Sequence, residues 1–118
     1  MGESNSKGEK PVAVMFYSPT CAYCRAIEPN FNEYASEFKD KMLFVKVNVM
    51  INSFIAERYG IMATPTFKFF CQGLLPIREL VGGVYPPLLK KTVEDILRNG
   101  EKCVENSSII DYSITGYA

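Results

Sequence analysis

A chain of 118 residues, 47% of them apolar and 22% charged, suits one globular domain built around a single core. Thirteen basic side chains balance thirteen acidic ones, so no broad field favours nucleic acid or an anionic membrane surface. Histidine is absent, which removes the usual general base and the commonest metal ligand.

Residues 1–10, MGESNSKGEK, are polar and lack an apolar h-region, so they read as a disordered lead-in rather than a secretory signal or an anchor. Met1-Gly2 with Ser6 fits a myristoylation pattern, but so short a pattern arises by chance, and a solvated tail is the better reading. Residues 11–17, PVAVMFY, form a short run of strand formers suited to a strand buried on both faces. Ile27, Phe31, Tyr34, Ala35 and Phe38 then recur at helical spacing, with Glu28, Asn32, Glu33 and Glu37 facing elsewhere, which predicts an amphipathic helix. A second strand, MLFVKVNV, precedes a short helix from Asn52 to Tyr59 that Gly60 stops. PTFKFF and IRELVG flank the turn CQGLLP as a hairpin, and a last helix carries Leu89, Val93, Ile96 and Leu97. The order β-α-β-α-β-β-α implies an α/β sandwich, with helices on both faces of a mixed sheet. The expected division is a lead-in over 1–10, one domain over 11–100 and an extension over 101–118.

Cys21 and Cys24 stand three apart at the start of the first helix, directly after the buried strand. There the free backbone N–H groups and the positive end of the helix dipole meet, and both favour a thiolate at Cys21. Since the thiolate is the nucleophile, a pKa below about 8.5 makes Cys21 reactive near neutral pH, while Cys24, one turn deeper, is placed to attack a mixed disulfide. Metal binding is the rival, but a tetrahedral site needs about four ligands, and only Cys71 and Cys103 remain, each alone in sequence. A permanent staple is weaker still, because so short a loop hardly restricts the unfolded chain.

With these motifs in order, residues 11–98 resemble the thioredoxin family. The family's Cys-x-x-Cys matches Cys21 and Cys24, followed by Arg25 and by Pro29 inside the helix. Its cis-proline loop resembles ATPTF, with Thr64-Pro65-Thr66, and its glycine near the end of the last strand resembles Gly82 in LVGGV. The resemblance implies a three-layer sandwich in which a cis Pro65 packs beside the cysteines. It further implies that backbone at Thr64 pairs with an extended substrate segment, and that Tyr23, Ala63, Pro65 and Gly82 line the substrate's path. Tyr17, Thr20, Arg25, Lys46 and Met15 are the expected supporting residues.

Several positions depart from the family's pattern. The buried acid that many members carry six residues before the first cysteine is replaced by Met15, and Lys46 resembles the lysine that lies near that acid. Lys46 is expected to snorkel to water, to approach the cysteines unpaired or to sit solvated at a strand end. The usual Trp-Cys-Gly-Pro-Cys becomes TCAYC, so Thr20 stands for the exposed tryptophan and Tyr23 offers apolar surface between the cysteines. The family's first strand and helix are not supplied by the polar lead-in, and Ile109 to Ile114 of the extension is a candidate cover for the edge this leaves. Cys71 and Cys103 read as inert thiols in a reducing cytosol. The Asn106-Ser107-Ser108 sequon does not meet the glycosylation machinery if no signal peptide precedes it.

The implied activity is thiol–disulfide oxidoreduction of protein disulfides, without a bound cofactor and without metal, by a cytoplasmic monomer served by an upstream thioredoxin-reductase-type donor. Reduction is the favoured direction, because Ala22 and Tyr23 bring no charge between the cysteines. The alternatives are a disulfide oxidase or isomerase, and a non-catalytic module of the same fold that senses redox state.

Overall fold

The computed structural model describes residues 10–71 and 76–98. Its elements are β1 (Val12–Tyr17), α1 (Ala22–Glu37), β2 (Leu43–Asn48), α2 (Ser53–Arg58), β3 (Thr66–Phe70), β4 (Pro76–Val81) and α3 (Pro86–Arg98). The lead-in over 1–9, the middle of the hairpin turn, Cys103, the sequon and the Ile109–Ile114 segment lie outside the described residues.

β1 holds the centre because its side chains are apolar on both faces. Val12, Val14 and Phe16 meet Val45, Val47 and Phe70 on one side, while Ala13 and Met15 point into a second cluster on the other. Strand alternation sorts them, since successive side chains leave opposite faces. The sheet runs β2-β1-β3-β4, with β1 parallel to β2 and antiparallel to β3. The parallel pair needs a long crossover, and α1 supplies it. β3 and β4 pair antiparallel as the expected hairpin, with an irregularity between Phe69 and Phe70. β2 is an outer strand of the described sheet.

The apolar stripe of α1 buries Ile27, Phe31 and Tyr34, and α3 adds Leu89, Val93 and Ile96 to the same cluster. Phe31 anchors it, with ring centroids 5.3 Å from Phe44 and 5.9 Å from Phe67. The Tyr34 hydroxyl donates to the Pro86 carbonyl at 3.3 Å and so ties α1 to the start of α3. On the other face, α2 is shorter than the predicted 52–59. Asn52 and Tyr59 are its flanking caps, and Ile55 and Tyr59 pack on the cluster of Val12, Val14 and Phe16. Gly60 ends it with φ +66°, a left-handed turn in which its N–H reaches the Glu57 carbonyl at 3.1 Å.

Two side chains in or next to β3 carry bonds that the sequence reading did not foresee. Lys68 in β3 is 94% covered, and its ammonium meets Glu79, its cross-strand partner on β4, at 3.1 Å. Cys71 is disulfide-bonded rather than an inert thiol, and since Cys21 and Cys24 are both free, neither is its partner.

Candidate active site

The chain leaves β1 at Tyr17 and turns through Ser18-Pro19-Thr20 before α1 begins. The Cys21 N–H donates to the Ser18 carbonyl at 3.1 Å, and the Thr20 N–H reaches the Ser18 hydroxyl at 3.3 Å. The Arg25 guanidinium folds back to the Pro19 carbonyl at 3.1 Å, which closes the turn from the helix side. Cys21 is thereby the N-cap of α1. Its backbone is extended, and its Sγ accepts the Cys24 N–H at 3.1 Å, the position a serine or aspartate oxygen usually takes.

The two sulfurs sit in opposite surroundings. Cys21 is partly exposed, whereas Cys24 points into the core, 2% exposed, in the cluster that holds Met15 and Ile27. Partial burial pulls the Cys21 thiol up, but hydrogen bonds from Cys24 and Thr64 and from the Cys24 and Tyr23 backbone outweigh it and set its pKa below the ordinary thiol value. Burial, the hydrogen bond to Cys21 and the charge there push Cys24 up to about 11, against smaller opposing hydrogen bonds from Ser18 and Thr64. Cys21 therefore ionises first and is the one that solvent can reach.

A second loop completes the site. The Thr64-Pro65 peptide is cis, as the resemblance implied. The buried Thr66 hydroxyl donates to the Ala63 carbonyl at 2.6 Å and clamps the loop across the bend. The Thr64 carbonyl oxygen then lies 3.4 Å from Cys21 Sγ and accepts from its thiol. Gly82 joins from the end of β4. At φ +87° it adopts a conformation that other residues take only with strain, and its N–H donates to the Pro65 carbonyl at 2.8 Å. Cys21, Thr64, Pro65 and Gly82 are thus brought together, while Ala63 and Tyr23 lie exposed beside them.

The supporting residues divide. Met15 is fully buried in the cluster beneath Cys24, and Tyr17 is half-buried against it. Thr20 is exposed on the turn, within 3.1 Å of the Ser18 hydroxyl. Lys46 stands opposite Met15 in the β1–β2 register, yet its ammonium is neither solvated alone nor unpaired toward the cysteines. It forms a 2.7 Å ion pair with Glu28, on α1 one turn beyond Cys24. Sequence reasoning missed Glu28, assigned only to a solvent face, and it missed Gly83. A Cβ built on Gly83 would lie 3.1 Å from both Cδ1 and Cε1 of Tyr23. The paired glycines of LVGGV were the available signal for that close approach. Among the described residues, no group of three or more His, Cys, Asp or Glu side chains is placed to hold a metal ion.

The thioredoxin family model matches residues 3–95. The chain belongs to the thioredoxin family. It is 38% identical over 90 residues to a thioredoxin of Griffithsia pacifica, covering 76% of this chain and 82% of that one. A chloroplastic M-type thioredoxin of Chlamydomonas reinhardtii is 38% identical over 87 residues, 74% of this chain and 61% of its own. The solved thioredoxin of Malassezia sympodialis superposes with a TM-score of 0.70 at 32% identity, covering 80% and 82% of the two chains. With this membership and its Cys21/Cys24 pair, the thioredoxin-family chain is a thiol–disulfide oxidoreductase of α/β fold. No helix among the described residues is long and apolar enough to cross a membrane.

Proposed function

We propose that the chain reduces protein disulfides with Cys21 as nucleophile and Cys24 as resolving thiol. The observation that carries this reading is the asymmetry of the pair, an exposed sulfur at the N-cap with a lowered pKa and a buried sulfur held protonated. The Cys21 thiolate attacks one sulfur of the substrate disulfide, the other substrate sulfur leaves as a thiolate and takes a proton, and a mixed disulfide remains. Cys24 then loses its proton and attacks Cys21 Sγ, releasing the second substrate sulfur. Two electrons have moved to the substrate, and a dithiol donor of the thioredoxin-reductase type returns them. When Cys21 ionises, the Thr64 carbonyl loses the hydrogen bond the thiol had donated and becomes available to a backbone N–H of an extended substrate. Pro65 and Gly82 shape that path, and Tyr23 and Ala63 flank it.

Turnover of insulin disulfides with a thiol reductant, measured as precipitation of the freed B chain, tests the reading. Stoichiometric binding without turnover would instead leave a redox-sensing module. We take the working unit to be a monomer. The cytoplasmic placement expected from the sequence is the part of the reading that the Cys71 disulfide opposes, because such bonds persist in oxidising compartments and are rare in the cytosol. A chloroplastic relative stands among those matched.

Met15→Asp is expected to speed the second step at neutral pH by placing a carboxylate in the cluster that holds Cys24. It also buries a charge, at a stability cost of about 2–4 kcal/mol. Lys46 offsets that only by leaving Glu28. Stopped-flow rates and denaturant midpoints measure the two effects separately, and an unchanged or slower second step would count against the role of a proton acceptor at position 15.

A further inference from the structure

Three segments frame the approach to Cys21, and none carries a charged residue: 18–24 (SPTCAYC), 59–67 (YGIMATPTF) and 80–89 (LVGGVYPPLL). Tyr23, Met62, Val81 and Tyr85 are large apolar side chains left exposed on them. Tyr23, two-thirds exposed, is the one whose placement depends on a partner across the site. Its ring lies against the bare Cα of Gly83, so close that any Cβ there would force it to move by a few tenths of an ångström. Gly83 itself is not in a left-handed conformation, so its lack of a side chain meets a need for space rather than for backbone freedom. The neighbouring Gly82 N–H is bonded to the Pro65 carbonyl, which fixes the β4–α3 loop to the cis-proline loop. Arg25, the charged residue nearest in sequence to the cysteines, is turned away to the Pro19 carbonyl.

We propose that Gly83 and Tyr23 act as one specificity-determining element, an aromatic shelf seated on a glycine, which selects protein disulfides whose cysteine is flanked by an apolar or aromatic residue. This rests on the reductase reading above. A rigid ring with one side seated and the other open offers apolar area at little cost in conformational freedom, and aromatic contacts of this kind favour aromatic partners. An acidic or basic flanking residue finds no countercharge on the three segments and loses hydration as it approaches.

The test uses two disulfide-linked peptide dimers identical except that phenylalanine or glutamate flanks the cysteine, and it reads the ratio of their kcat/KM values. The wild-type chain is expected to favour the phenylalanine peptide. Gly83→Ala and Tyr23→Ala should each lower that ratio roughly three- to tenfold. Tyr23→Phe, which keeps the ring, should preserve it, and the double variant should lose no more than either single one. Tyr23→Ala leaves the glycine loop untouched, so it reads the shelf even if Gly83→Ala folds poorly. A wild-type ratio of one, or a ratio unmoved by Tyr23→Ala, overturns the proposal, and a ratio lost in Tyr23→Ala but kept in a folded Gly83→Ala overturns the role of Gly83. If the wild type reduces neither peptide, the reductase reading fails instead. Equilibrium binding of the two peptides with their cysteines replaced by serine then decides the shelf by the same ratio.

Discussion

Cys24→Ser is expected to accumulate covalent adducts with protein disulfides, visible on non-reducing electrophoresis and released by dithiothreitol, while its turnover in insulin reduction falls to background. The first attack survives because the group lowered in pKa, reached by solvent and capping α1 is Cys21, and because the capping donor is the Cys24 backbone N–H, which serine retains. What is lost is the resolving thiol, and no third free thiol is found among the described residues. Cys21→Ser should abolish both capture and turnover, since a serine hydroxyl is not ionised near neutral pH and Cys24 is buried, which by itself holds its pKa up and keeps substrate away. Capture by Cys21→Ser but not by Cys24→Ser would reverse the two roles. Capture by neither would shift the balance toward a binding module.

The second large effect is on pH dependence, where the two half-reactions should part company. The pKa of Cys21 lies below the ordinary thiol value, so the first attack should rise with pH and level off earlier than an ordinary thiol would. Cys24 is shifted the other way, which means that at neutral pH it holds its proton and only a small fraction is nucleophilic. The resolving step should therefore climb about tenfold per pH unit, roughly a hundredfold between pH 6 and pH 8. Its plateau should fall below 11 but above the ordinary value, because the mixed disulfide removes the charge and hydrogen bond at Cys21 and leaves burial as the main cause. Rapid-mixing measurement of adduct formation and decay resolves the two limbs. A decay rate flat from pH 6 to pH 8 would overturn the raised Cys24 pKa as the control on the resolving step.

The legible parts of this molecule were those written within one segment. The short apolar run VAVMFY, the 3.6 spacing of Ile27, Phe31 and Tyr34, and a Cys-x-x-Cys at a helix start gave strand, helix and reactive pair without tertiary knowledge. The cis bond at Pro65 followed from the family's pattern rather than from periodicity. Features that need two distant segments in register stayed hidden. Nothing within β3 tells how a buried Lys68 is balanced, because Glu79 comes beside it only through the β3–β4 register. Lys46 reads as snorkelling until α1, on its crossover, brings Glu28 within 2.7 Å. Tyr23 gives no hint that Gly83, sixty positions on, is what it leans on. Nor can spacing reveal that Cys71 is bonded, since pairing depends on where the chain returns.

The N-cap of α1 is the atom whose oxidation state changes. A capping side chain contributes about 1 kcal/mol to a helix start. At Cys21 that contribution exists in full only while the sulfur can accept the Cys24 N–H as a thiolate, and disulfide formation weakens it. For a two-electron couple about 1.4 kcal/mol corresponds to about 30 mV, so this single hydrogen bond biases the midpoint potential upward by at most about 20 mV, toward a stronger oxidant. The coupling runs in both directions. Withdrawing two electrons from the pair loosens the first turn of the central helix, so amide exchange at Cys24 and Arg25 should quicken on oxidation and act as a backbone voltmeter for the site.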